Sequence, residues 1–271
     1  MKSSLDFVWV NDMNEIQYLD SHAHLMGEEF QEDLEDVINK CNEKNVKHIM
    51  IITLNKDEAL RAIEFVKRDP ERYVIATGIF PEDVDKITDQ DWNDFVEIAS
   101  RKEISVIGEI GLEYHWVKDI ETRNKQKELF IKQIQLAQSL HKPIAVHSRD
   151  AIQDTFDIMK QYQTPGLLHC FSGTKEMAIE FNKLGYYIAL GGALTFKNAR
   201  HAVEVAQTID EKYLLTETDC PYMAPVPVRG TRNDPSNIPY ILQKIAEVRG
   251  VSEEHMAKVV MDNWQRFLQC K

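Results

Sequence analysis

The stretch Tyr18–Leu25, YLDSHAHL, closes a short apolar run with two histidines, His22 and His24, two positions apart. Side chains i and i+2 of a β-strand project from one face. A strand ending here therefore aims two imidazoles at one point, which is half of a metal-binding site. Taken alone, a His-x-His pair is more often an ordinary loop or surface pair. Its meaning depends on what recurs along the chain.

What recurs is the run itself. IQYLDSH is followed by VKHIMIIT, YVIATGIF, ISVIGEIGL, PIAVHSR, GLLHCFSG, YYIALGGAL and YLLTETDC, eight in all. These runs are rich in Val, Ile and Tyr, as strands buried on both faces are. Polar segments with helical spacing lie between them. Phe30, Leu34, Val37, Ile38 and Cys41 fit one helix face; Leu129, Ile131, Ile134, Leu136, Ala137 and Leu140 fit another less strictly. Eight strands alternating with helices in this length predict an α/β fold, a (β/α)8 TIM barrel. Two extra helices close the chain near 238–248 and 252–268, the second capped by Ser252 with Glu253 and Glu254 in its first turn. An open doubly wound sheet is the alternative, and no GxGxxG after the first run supports it. No Pro/Gly/Ser linker or low-complexity tract interrupts the 271 residues, so one domain over 1–271 is expected.

In such barrels catalytic groups stand at the C-terminal ends of the strands. Those ends carry His22 and His24 (first run), Glu109 (fourth), His147 (fifth), His169 (sixth) and Asp219 (eighth). Any one of them is readily an ordinary buried polar residue. All six together are not, because burying two carboxylates among imidazoles costs several kcal/mol per ion unless cations compensate. Six nitrogen and oxygen donors suit one or two divalent cations, with a carboxylate able to bridge a pair. Imidazole favours zinc, manganese, cobalt or iron, and magnesium prefers oxygen, so the donor set leaves the identity open. Of the other histidines, His48 reads as structural, His141, His201 and His255 as solvated, and His115 as a candidate for the pocket. Cys170 and Cys220 follow predicted ligands, and strand alternation points them away as packing residues.

Composition limits the classes. With 43% hydrophobic and 28% charged residues the chain is globular in character, and no run of about 18 apolar residues predicts a membrane span. The N-terminal MKSSLDFVWVNDMNEI lacks an apolar core and carries early acids, which argues against a secretory signal. Four cysteines without CxxC spacing fit a reduced, cytoplasmic compartment. The formal net charge of −12 is awkward for a nucleic-acid binder unless bound cations and a few arginines serve the cleft.

The motifs DSHAHL, IGEIGLEY, KPIAVHSRDA, HCFSG, ETDCPYMAP and RGTRNDP, in this order, resemble the TatD-type metal-dependent deoxyribonucleases of the amidohydrolase superfamily. The match runs from about residue 16 to 268. The resemblance implies His22, His24, Glu109 and Asp219 as ligands of one metal position, with Glu109 bridging, and His147 and His169 as ligands of a second. It implies two divalent cations (Mg, Mn or Zn) and hydrolysis of DNA phosphodiesters, often by 3′-to-5′ exonuclease action on single strands. The sequence departs from the family pattern at Ala23, Met26, Glu113, His115-Trp116 and Cys220, none of which removes a ligand.

The residues suggest the rest of the apparatus. Asp219, able to ligate a metal and accept a proton, is the expected general base, and Glu109 the second catalytic carboxylate. Glu217, two residues before Asp219, is expected to hold a ligand histidine or a water from behind. The proline-rich segment PVPVRGTRNDPSNIPY follows the eighth strand and is expected over the mouth. There Arg229 and Arg232, with Arg149 after His147, are candidates to clamp phosphate oxygens. Tyr114, Trp116 and Tyr222 are candidates for stacking on bases. Two other functions compete: a barrel hydrolase for a small ester, lactone or amide, and a non-catalytic binding protein. No lysine stands at the end of the fourth run to be carbamylated, which weakens the first, and an intact set of donors argues against the second.

Overall fold

The computed structural model describes residues 16–269; the segment read as lacking a secretory signal, and Cys270, lie outside the described residues. Each apolar run becomes a strand: β1 Tyr18–Ala23, β2 Val46–Thr53, β3 Tyr73–Thr77, β4 Ile104–Glu113, β5 Ile144–Arg149, β6 Gly166–Leu168, β7 Tyr187–Leu190 and β8 Leu214–Thr216. The helices are α1 Leu34–Glu43, α2 Lys56–Val66, α3 Asp89–Ala99, α4 Ile120–Ser139, α5 Ile152–Tyr162, α6 Lys175–Lys183, α7 Arg200–Thr208, α8 Ile238–Arg249 and α9 Glu253–Gln269. The strands pair in parallel in chain order from β1 to β8. The ring is closed by an Ala23–Cys220 bridge and by Asp219 N–H donating to the His22 carbonyl at 2.9 Å. The result is the expected (β/α)8 barrel; of the two C-terminal helices, α8 follows β8 as the eighth barrel helix, so only α9 is additional to the barrel.

Local chemistry sets the helix starts. Asn55 and Asp119 accept from the N–H of Glu58 and Thr122 at 2.9 and 2.7 Å to open α2 and α4, Thr88 and Asp91 form a capping box on α3, and Ser252 accepts from His255 N–H at 3.2 Å before α9. On α1 the expected face is inward, with Val37, Ile38 and Cys41 buried and Leu34 partly so, while Phe30, also buried, falls in a short turn, Glu28–Phe30, before the helix.

On α4 the expected face is corrected. Ile134 and Ala137 are buried, but Leu129, Ile131, Leu136 and Leu140 are only partly buried, and Phe130, Gln126 and Gln133 take the inner positions. The two glutamines earn burial by serving backbone groups. Gln133 accepts from Ile79 N–H at 2.8 Å and donates to Ile79 O at 3.1 Å, and Gln126 accepts from Glu113 N–H at 3.0 Å. An apolar-periodicity rule does not see such residues.

The site end of the barrel needs close strand approach. Gly111 in β4 has φ +145°, and a Cβ there would stand 2.0 Å from the His147 carbonyl oxygen of β5. Only glycine adopts that backbone and permits that contact, which brings Glu109 and Glu113 alongside His147.

Candidate metal centre

The donors arrive from five strands. β1 delivers His22 and, just past its end, His24; β4 delivers Glu109 from within the strand rather than at its end; β5 delivers His147, and the segments just after β6 and β8 deliver His169 and Asp219. Asp219 has φ +55° and Cys170 φ +42°, so the strands have already stopped at these positions. For Cys170 this corrects the alternation argument: it lines a cavity beside His169, whereas Cys220 is buried in an apolar cluster with Ala23 and Leu25.

All six predicted donors converge. His22 Nε2 lies 3.2 Å from His24 Nε2, 3.4 Å from Glu109 Oε2 and 3.9 Å from Asp219 Oδ1. His24 Nε2 is 3.6 Å from both Glu109 Oε2 and Asp219 Oδ1. On the other side, Glu109 Oε1 lies 2.8 Å from His147 Nδ1 and 2.7 Å from His169 Nε2, and those two nitrogens are 3.0 Å apart. Donors bonded to one ion at about 2.1 Å stand about 3.0–3.4 Å from one another. The spacings surround that range. Both three-donor groups, His22–His24–Asp219 and Glu109–His147–His169, are compact enough to hold a divalent ion. Glu109 gives one oxygen to each.

Electrostatics follow from burial and from these contacts. Burial alone would raise the Glu109 carboxyl, but His169, His147 and His22 outweigh it and hold it well below the usual range. Asp219 is likewise held low by the same imidazole cluster against the burial penalty. Burial and the neighbouring His169 push His22 down to about 4. His147 goes the other way: burial lowers it, yet Glu109 and Glu113 together lift it to about 9.

Residues beyond the six donors build the surroundings, Glu113 unpredicted and Glu217 expected. Glu113 Oε2 lies 3.2 Å from His147 Nε2, while its Oε1 accepts from the N–H of His115 and Trp116 at 2.5 and 3.1 Å. It is four residues from Glu109 in the same strand, so strand parity was the signal that pointed to it. Glu217 accepts from Cys170 N–H. Its Oε2, with His22 Nδ1 and His169 Nδ1, is buried without a hydrogen-bond partner, and burial pushes its carboxyl well above the usual range. Glu217 also forms a third close group with His22 and His169, whose rings stack at 3.9 Å.

Asp20, two residues before His22 and so on the same strand face, was also missed. It is fully buried, and burial pushes its carboxyl up to about 7. It accepts from His22 N–H at 3.1 Å, Thr218 N–H at 2.9 Å and the Thr218 hydroxyl at 2.5 Å. This stitches β1 to the segment after β8, where the barrel closes and both His22 and Asp219 are set. Stranding buried donors costs about 1–3 kcal/mol each, so Asp20→Ala is expected to destabilise by about 3 kcal/mol and lower the Tm by at least about 5 °C. A thermal melt within about 1 °C of wild type would contradict this.

The expected substrate residues are distributed differently. Arg149 is exposed and lines the mouth, its guanidinium 5.5 Å from the Trp116 ring centroid. Arg232 is engaged by Asp33, at 3.0 Å through Nη1 and 2.5 Å through Nη2, and by the Glu29 carbonyl. Arg229 packs 4.1 Å from the Phe196 ring centroid. Trp116 and Tyr222 line the mouth and are exposed, whereas Tyr114 is buried with its hydroxyl donating to Asp154 at 2.8 Å. His115 contacts Asp150 at 3.0 Å at the surface. His48 is half-buried in β2, His141, His201 and His255 are exposed, and His255 pairs with Glu211. Among the described residues no helix is long and apolar enough to cross a membrane.

Comparison with known proteins agrees with this geometry. A family model described as TatD related DNase matches residues 19–269. The chain is 37% identical over 253 residues to the uncharacterised metal-dependent hydrolase YabD of Bacillus subtilis, covering 92% of this chain and 98% of that one. It is 34% identical over 255 residues to the uncharacterised metal-dependent hydrolase YcfH of Escherichia coli K12, covering 92% and 94%. Among solved structures, the TatD homologue YJJV of Escherichia coli matches with a TM-score of 0.85 at 24% identity, covering 93% of this chain and 98% of that one, a likeness of fold. With the donor set intact and the match spanning nearly its whole length, the chain is a metal-dependent hydrolase and belongs to the TatD-related DNase family.

Proposed function

We propose that the chain is a deoxyribonuclease that hydrolyses phosphodiester bonds of single-stranded DNA from the 3′ end, using two divalent cations. The observation that carries this reading is Glu109, whose two oxygens each face a different pair of imidazoles. His22, His24, Asp219 and Glu109 would hold one cation, and His147, His169 and Glu109 the other. Bound there, divalent cations lower the pKa of water and offset charge on the phosphoryl oxygens. The family described by its DNase activity supports a phosphodiester as the bond cleaved.

The chain's own groups do the rest. Asp219, held ionised by the imidazoles around it, accepts the proton of the attacking water. Glu113 fixes the orientation of His147 through Nε2, and Glu217 stands behind His169 on the side opposite Glu109, its Oε1 3.9 Å from Nδ1 and not hydrogen-bonded to it. Arg149 is the arginine best disposed to grip a phosphate, because Arg232 is committed to Asp33 and Arg229 to Phe196.

One observation favours a second reading. Glu28, Glu29, Glu58 and Glu82 rim the mouth and would repel a polyanion, which suits a small uncharged ester, lactone or amide instead. End-labelled single-stranded and duplex DNA, incubated with EDTA and then with Mg²⁺, Mn²⁺ or Zn²⁺, separates the two. We expect chelator-sensitive ladders shortening from the 3′ end. No cleavage with any of the three ions, alongside turnover of small esters, would reject the nuclease reading.

A further inference from the structure

The mouth of the barrel has two lobes that share His147, Arg149, His169, Asp219 and Met223. One, about 780 Å³, opens toward the first four strand ends and carries the rim of Glu28, Glu29, Glu58 and Glu82. The other, about 410 Å³, opens over the segments after β5, β6 and β7 and the start of α7. Among the described residues lining this second lobe, Asp219 is the only carboxylate. Its walls include Phe171, Leu194 and Phe196, with Asn198 and His201 at its edge. That volume and that mix of apolar walls with a few polar groups are those of a small-ligand site, typically about 300–1,000 Å³.

Charge decides how a nucleotide chain would divide itself between the lobes. Every phosphodiester is anionic, so chain leaving the reaction centre over the four-glutamate rim meets repulsion at each step, whereas the second lobe, which shares Arg149 with the first, has no such rim. Aromatic walls suit a base of any sequence, because every base has a π-face. Asn198 offers both a donor and an acceptor to a base edge.

We propose that the second lobe is a nucleoside subsite, taking the sugar and base that adjoin the scissile phosphate while that phosphate stays with Arg149 and the metal donors. The lobe is built firmly. A Cβ at Gly192 would come within 1.8 Å of the Met223 carbonyl oxygen, so the turn at 192–195 packs directly against the segment after β8. Arg229, with its guanidinium 4.1 Å from the Phe196 centroid, braces one aromatic wall. This gives the proline-rich segment a role in shaping the pocket. The proposal depends on the nuclease reading only for the identity of the occupant.

Calorimetric titration of the Mn²⁺-loaded protein with 2′-deoxyadenosine 5′-monophosphate, and separately with inorganic phosphate, reads the nucleoside's contribution without requiring DNA cleavage. The monophosphate is expected to bind at least about tenfold more tightly than phosphate. In Ala202→Trp, whose indole fills the lobe, that ratio should fall to about one, with phosphate affinity and manganese content unchanged. Phe196→Ala, which adds no bulk, should lower it by about threefold or more. Equal affinities in the wild-type protein, or a preference that survives both substitutions, would overturn the subsite. DNA cleavage without nucleoside preference leaves the nuclease reading intact and refutes the subsite; nucleoside preference without DNA cleavage does the reverse.

Discussion

Glu109→Ala is expected to empty both cation positions at once. The carboxylate is the one group common to the two donor clusters, with Oε2 facing His22 and His24 and Oε1 facing His147 and His169. Removing it leaves one cluster with two imidazoles and Asp219, and the other with two imidazoles and no anion. Cation stabilisation of the reacting phosphate amounts to several kcal/mol. At 1.36 kcal/mol per tenfold, losing about 4 kcal/mol slows hydrolysis by about 10³-fold. Elemental analysis after loading and desalting should show less than about half of the wild-type metal content, and circular dichroism should show an intact fold, because the barrel core lies below this layer. Retention of two equivalents of metal by the variant would contradict the bridging role.

Asp219→Asn isolates the proton-transfer step. The amide keeps an oxygen near His24, where the carboxylate oxygen now stands 3.6 Å away, so the local geometry survives. What is lost is a negative charge and the capacity to accept a proton near neutral pH. General-base catalysis typically contributes about 10²–10⁴-fold, so kcat should fall by that factor while KM for an oligonucleotide changes by less than about threefold. Near-normal turnover by the metal-loaded variant would remove Asp219 from the base role.

The architecture was legible because buried parallel strands announce themselves. The run VKHIMIIT is apolar but for Lys47, His48 and its closing Thr53, and β2 covers it end to end. The donor cluster was legible for the complementary reason: His22, Glu109, His147, His169 and Asp219 break or end runs that are otherwise core, and burial makes such breaks costly. Asp20 and Glu113 obey the same rule, two residues before one donor and four after another, and strand parity alone would have found them.

Other features depend on contacts that no local pattern encodes. Arg232 meets Asp33 across 199 positions of sequence, so its commitment to an ion pair is invisible in RGTRNDP. The buried face of α4 carries two glutamines because the backbone of Ile79 and Glu113 needs them. β6 and β8 are only three residues long, and the donors that follow them are set by left-handed backbone at Cys170 and Asp219 rather than by strand alternation. The acidic rim and its apolar counterpart are assembled from loops far apart in the chain, so the net charge of −12 does not show how charge divides between them.

Anomalous scattering from crystals grown with Mn²⁺ tests the central claim most directly. Two manganese peaks are predicted, one touching His22, His24 and Asp219 and the other touching His147 and His169, with the Glu109 carboxylate in contact with both. A single peak, or peaks at Glu217 or on the glutamate rim with Glu109 unligated, would contradict it.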